Sequence, residues 1–119
     1  MLKRHRILVV EDDIALANMY RLSLSFAGFT VSTAHDGISA LQAIDNSPPD
    51  LVVLDLALPR LHGAVILSEM AGNPTTSSIP VIVVTGSDVT HAVAQASAIL
   101  RKPCAPELLL TAVEQRLSH

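Results

Sequence analysis

Five polar residues at the ends of apolar runs are the ones able to do chemistry together: Glu11, Asp12, Asp55, Thr85 and Lys102. The two acids follow Ile7-Leu8-Val9-Val10, and Asp55 follows Leu51-Val52-Val53-Leu54. Thr85 follows Val81-Ile82-Val83-Val84, and Lys102 follows Ala98-Ile99-Leu100-Arg101. Three carboxylates, a hydroxyl and an ammonium are the inventory for holding a divalent cation beside a phosphoryl group. Adjacent acids repel one another and are costly unless something positive lies among them. Asp13, the next acid, reads better as the cap of a helix that begins near Ile14.

Side chains so far apart in sequence act together only if the fold gathers them. Short β-branched runs of this length read as buried strands of a parallel sheet. In an open α/β sheet, groups at the carboxyl ends of the strands line one crevice. The segments between the runs fit that arrangement. Apolar residues at helical spacing (Ile14, Leu16, Ala17, Tyr20, Leu24) predict a helix over Ile14–Phe26, stopped at Gly28. Residues 29–33 alternate apolar and polar, as an edge strand with one solvated face does. Further helices are expected over 37–44, 63–71, 89–96 and 106–117, the last with Pro106 in its first turn. A loop containing Pro59 spans 56–60, and a turn-rich connector spans 73–78. The fifth strand is expected over 98–100. Five alternations of strand and helix predict an α/β fold with a doubly wound, five-stranded parallel sheet. Right-handed crossovers favour the strand order 2-1-3-4-5.

Bulk properties narrow the function. A chain of 119 residues makes one domain with a core of its own. Half of it is hydrophobic, Trp is absent, and the aromatics are Tyr20, Phe26 and Phe29, so the core must be aliphatic. A net charge of −3 gives no reason to expect nucleic-acid binding, and Lys3-Arg4-His5-Arg6 reads as a solvated lead-in to the first strand. Cys104 is the single cysteine, which suits a reducing cytoplasm. The basic opening is followed by too short an apolar run for a signal peptide. The charge-free stretch 70–87 is broken by Asn, Gly and two prolines and cannot span a bilayer. His5, His35, His62, His91 and His119 share no ligand spacing, which argues against zinc; they are expected to face solvent, His62 from an exposed loop.

The run Leu54-Asp55-Leu56-Ala57-Leu58-Pro59-Arg60-Leu61-His62-Gly63, with acids after the first strand and Thr85-Gly86 and Lys102-Pro103 downstream, resembles the receiver domain of two-component response regulators. The resemblance covers residues 6–117 and fills all five signature positions in order, so residues 1–119 are expected to be a single receiver domain of flavodoxin-like topology. It implies that Asp55 is the phosphoacceptor, taking a phosphoryl group from a histidine kinase or histidine phosphotransfer protein as an acyl phosphate. It implies Mg²⁺ held by Asp12 and Asp55, by Glu11 mainly through water, and by the backbone carbonyl of Ala57. Lys102 would pair with Asp55 and then with the phosphoryl oxygens, and Thr85 would donate its hydroxyl to the phosphoryl group. Pro103 would fix the loop behind Lys102, with a cis bond as in the family. The resemblance further implies no catalysis beyond the domain's own phosphorylation and dephosphorylation, and a cytoplasmic setting. It leaves room for a weak homodimer and leaves the cognate kinase and downstream effector open; the expectation of no membrane and no direct nucleic-acid contact comes from the charge and the broken apolar stretch instead.

The chain departs from the family pattern in a few places. Where receivers usually carry Tyr or Phe three residues before the lysine, this chain has Ile99, an atypical switch position. The interval from Thr85 to Lys102 is short, which predicts a shortened fourth helix, and Cys104 stands where Phe is common. Ala57 and Ser87, each two residues after a site residue, are small and neutral. Two other functions compete. A hydrolase of the haloacid dehalogenase type needs a second Asp two residues after the nucleophile, where this chain has Ala57. A receiver-fold protein–protein interaction module working independently of phosphorylation is kept open by Ile99 and the short fourth helix.

Overall fold

Strands that are apolar along their whole length must be covered on both faces, and the sheet is built accordingly. The structure, a computed structural model, describes residues 4–86 and 95–117. Along the chain lie β1 (Arg6–Val10), α1 (Ile14–Phe26), β2 (Thr30–Ala34), α2 (Gly37–Asn46), β3 (Leu51–Leu54), α3 (Gly63–Ala71), β4 (Val81–Thr85), β5 (Ala98–Arg101) and α4 (Pro106–Leu117). The five strands are parallel in the order β2-β1-β3-β4-β5. Every residue of β3 and β4 is buried.

Alternation along each strand divides the core in two. Leu8, Val10, Val52, Leu54 and Val83 meet Ala40 and Ile44 of α2 and Ile66, Leu67 and Met70 of α3. Ile7, Val9, Val53, Ile82 and Val84 meet Tyr20 and Leu24 of α1 and Leu109, Val113 and Leu117 of α4. The helices are capped as their sequences allow. Asp13 and Asp36 accept the N–H groups of Leu16 and Ser39 at 3.1 and 2.8 Å. His62 Nδ1 accepts that of Ala64 at 3.1 Å. Gly28, at φ 103°, closes α1 in the region that favours glycine.

Several expectations are corrected. Ile14 is 61% exposed, because the stripe of α1 that faces the sheet is Ala17, Tyr20 and Leu24. β5 is half-buried, unlike the other apolar runs, because it is the second edge of the sheet, and Ile99 is 38% exposed. β2 begins one residue later than expected, and α2 runs on to Asn46. The expected helix over 89–96, and with it the shortened fourth helix, falls mostly outside the described residues, as do Ser87, His91 and His119. Gln95 and Ala96, which are described, are not helical. Among the described residues no helix is long and apolar enough to cross a membrane.

Tyr20 lies in the core with its hydroxyl buried and, among the described residues, without a hydrogen-bond partner, and burial raises its pKa above the ordinary 10.0. An unsatisfied buried hydroxyl costs about 1–3 kcal/mol. Tyr20→Phe keeps the ring and removes the cost, so chemical denaturation is expected to show a variant at least as stable as the parent, by up to about 1 kcal/mol.

Candidate functional site

The parallel register brings the strand ends level. Val10 lies beside Ala34 and Leu54, Leu54 beside Val83, and Thr85 beside Arg101. Main-chain bonds continue this alignment one residue further: Glu11 N–H to the Ala34 carbonyl at 3.0 Å, Asp55 N–H to Val10 at 3.0 Å, and Lys102 N–H to Thr85 at 3.1 Å. Glu11, Asp55, Thr85 and Lys102 therefore emerge at one edge of the sheet, as the sequence led us to expect.

Their side chains meet around Asp55. The Lys102 ammonium lies 2.8 Å from Asp55 Oδ2 and 2.5 Å from Glu11 Oε1. The Thr85 hydroxyl donates to Asp55 Oδ1 at 2.8 Å, and the Ala57 N–H donates to the same oxygen at 3.2 Å. Glu11, Asp55 and Thr85 are buried, whereas Asp12 and Ala57 are exposed. Burial raises the pKa of Glu11 above its ordinary 4.5, although the Lys102 hydrogen bond opposes that shift. Burial alone would lower Lys102, but its hydrogen bonds to Asp55 and Glu11 carry it above 10.5. Lys102 thus contributes stability that is complete below pH 10.5 and is lost only as pH rises through its higher folded value.

Carboxylate oxygens of Glu11, Asp12 and Asp55 lie within 4.8 Å of one another. Hard oxygen donors, with neither His nor Cys among them, suit a small divalent cation such as Mg²⁺, which takes few carboxylates and completes its shell with water and phosphate oxygens. Among the described residues one ammonium stands against three carboxylates, which leaves the cluster net negative, so a cation fits its electrostatics as well as its donor chemistry.

The loops behind the site are closely fitted. A Cβ on Gly63 would stand 2.5 Å from the Asp55 carbonyl oxygen and 2.7 Å from Leu56 Cα, so only glycine lets α3 start against the turn that follows Asp55. Arg60 adopts φ 68°, uncommon for a residue with a side chain, and its guanidinium lies 3.4 Å from Asp36. The Lys102–Pro103 peptide is cis, as the family resemblance implied. His62 is exposed, as expected of its loop.

Two features escaped the sequence. Glu11 shares Lys102 with Asp55. His35, expected to face solvent, is half-buried with Nδ1 2.9 Å from the Glu11 carbonyl oxygen. The available signal was positional: His35 directly follows β2, at the same carboxyl edge as the other site residues.

A model of the response regulator receiver domain matches residues 7–114. Response regulator MprA of Mycobacterium tuberculosis is 44% identical over 110 residues, covering 88% of this chain and 47% of that protein. The chain thus spans about half the length of the curated relatives it matches. The receiver domain protein (CheY-like) from Methanospirillum hungatei superposes with a TM-score of 0.90 at 28% identity, covering 97% of this chain and 94% of that one. The chemotaxis response regulator CheY4 of Vibrio cholerae superposes with a TM-score of 0.87 at 25% identity, covering 97% and 100%.

Two stability measurements test the electrostatics. Asp12 is exposed, so Asp12→Asn removes one like charge without loss of packing; in EDTA it is expected to stabilise the protein by on the order of 1 kcal/mol. A less stable variant would mean that the acids are already well compensated. Lys102→Met leaves two carboxylates buried without their cation and is expected to cost about 3 kcal/mol at pH 7. Carboxyls whose folded pKa is raised favour the fold at low pH and lose that contribution as pH rises, so the deficit should shrink toward pH 4.5, the ordinary value for Glu11. A deficit independent of pH would exclude this origin.

Proposed function

The chain belongs to the response regulator receiver domain family, and from that premise we propose that Asp55 is its phosphoacceptor in two-component signalling. The observation that carries the proposal is the Asp55 carboxylate itself, buried and yet gripped on one oxygen by Lys102 and on the other by Thr85. In this reading an Asp55 oxygen attacks the phosphorus of a phosphohistidine on a histidine kinase or phosphotransfer protein. The new P–O bond forms as the P–N bond breaks, the histidine leaves with the bonding pair, and Asp55 becomes an acyl phosphate.

Asp12, Asp55 and the Ala57 carbonyl would hold Mg²⁺ directly, with Glu11 acting mainly through water. The bound ion would neutralise charge on the phosphoryl oxygens. Lys102 exchanges its contact with Asp55 for one with the phosphoryl group, and the Thr85 hydroxyl follows. Glu11 keeps the other side of the ammonium, so Lys102 moves without losing its second partner. Pro103 holds the loop behind Lys102. Ile99 offers no polar tip to follow Thr85, so the signal leaves through backbone and packing changes around β4 and β5.

On this reading residues 1–119 are one receiver unit in the cytoplasm. It acts on its own phosphorylation and dephosphorylation, without membrane or direct nucleic-acid contact. It signals to an effector protein or output domain and is able to form a weak homodimer.

Intact-mass spectrometry after incubation with Mg²⁺ and acetyl phosphate, beside Asp55→Asn, tests the assignment. The expected result is one added phosphoryl group that requires Mg²⁺ and is missing from the variant. An adduct that survives in Asp55→Asn, or none with a range of small phosphodonors, would overturn it.

A further inference from the structure

We infer that His35 is a positioning residue for the acidic turn, setting the plane of the Glu11–Asp12 peptide from which the cation-binding carboxylates project. The inference rests on the reading of Glu11 and Asp12 as cation ligands. Consecutive residues hold both main-chain polar groups of Glu11: its N–H donates to the Ala34 carbonyl at 3.0 Å, and its carbonyl lies 2.9 Å from His35 Nδ1. A carbonyl oxygen can only accept, so Nδ1 carries the hydrogen and donates it. That carbonyl belongs to the peptide bond joining Glu11 to Asp12, and peptide planarity means that anchoring its oxygen orients the whole unit.

The two acids depend on that orientation in different ways. The Glu11 side chain has anchors of its own, Lys102 Nζ and the Asp13 N–H at 3.1 Å. Asp12 is exposed, so the direction of its carboxylate follows mainly from the backbone before it. The residues after His35 reach the other side of the site. Asp36 caps α2 and pairs with Arg60, and the Gly37 N–H donates to the Pro59 carbonyl at 3.2 Å. Residues 34–37 therefore bracket the turn after β1 and the loop after β3, the two segments that bring Asp12 and Asp55 together. His35 is the bracket's side-chain contact with the acidic turn. Outer partners of metal ligands commonly change affinity by about 10–100-fold when removed.

The test compares the parent with His35→Ala and His35→Asn, whose amide nitrogen sits where Nδ1 does and can donate the same bond. Mg²⁺ affinity is read by calorimetry, and hydrogen exchange of the Asp13 amide, which bonds to the Glu11 side chain, is read in EDTA. Thermal unfolding checks that each variant is folded. His35→Ala is expected to weaken Mg²⁺ binding about tenfold and to speed Asp13 exchange, and His35→Asn to recover most of both. A folded His35→Ala protein with unchanged affinity and exchange would overturn the inference. So would a folded His35→Asn protein that recovers neither, because packing of the ring would then be what matters. If the parent itself bound no Mg²⁺, the cation reading would fail first, and the exchange measured in EDTA would still decide the positioning role.

Discussion

One ammonium group between two buried carboxylates holds the working edge of this protein together. Lys102 reaches Glu11 at the end of β1 and Asp55 at the end of β3, from a residue that itself follows β5. Neither acid would be tolerated in this position alone, because an unpaired charge out of water costs far more than any single apolar contact returns. The ammonium joins three strands through charge where their hydrogen-bonded ladders end. It compensates only part of the negative charge. With Asp12 nearby the cluster stays net negative, the condition under which a divalent cation is attracted and a phosphoryl group becomes approachable once that cation is present.

The rest of the architecture keeps this edge rigid without occupying it. Two apolar cores, one on each face, fix the positions of β1, β3 and β4, and the parallel register brings their carboxyl ends level. The chemistry can then sit on short loops whose placement is set by a rigid frame. Close fit supports the loops, with Gly63 admitting α3 against the backbone of Asp55 and Leu56. Like charges gathered at one edge are a cost to the fold, and uncompensated features of this kind concentrate at functional sites.

Much of the fold was legible because the signals that specify it are local. The helices Ile14–Phe26, Gly63–Ala71 and Pro106–Leu117 begin and end where their spacing and punctuation indicate, and Asp13 caps the first of them. The misjudged burials share one cause. Ile14 and the run before Lys102 are as apolar as their buried counterparts, but one heads a helix outside its packed stripe and the other lies on a sheet edge. Burial is a property of neighbours, which a residue's own hydrophobicity does not report.

The candidate site divides in the same way. Composition and order along the chain determined the sheet, the helices between its strands, and the placing of acids, a hydroxyl and a lysine after the strands, because backbone preference and side-chain period act over a few residues. Only the tertiary structure decided that Lys102 serves Glu11 as well as Asp55, that burial raises the Glu11 carboxyl, that Arg60 meets Asp36, and that His35 grips the Glu11 carbonyl. Those are through-space interactions between segments dozens of residues apart, and their strength depends on distance and dielectric that exist only once the chain has folded.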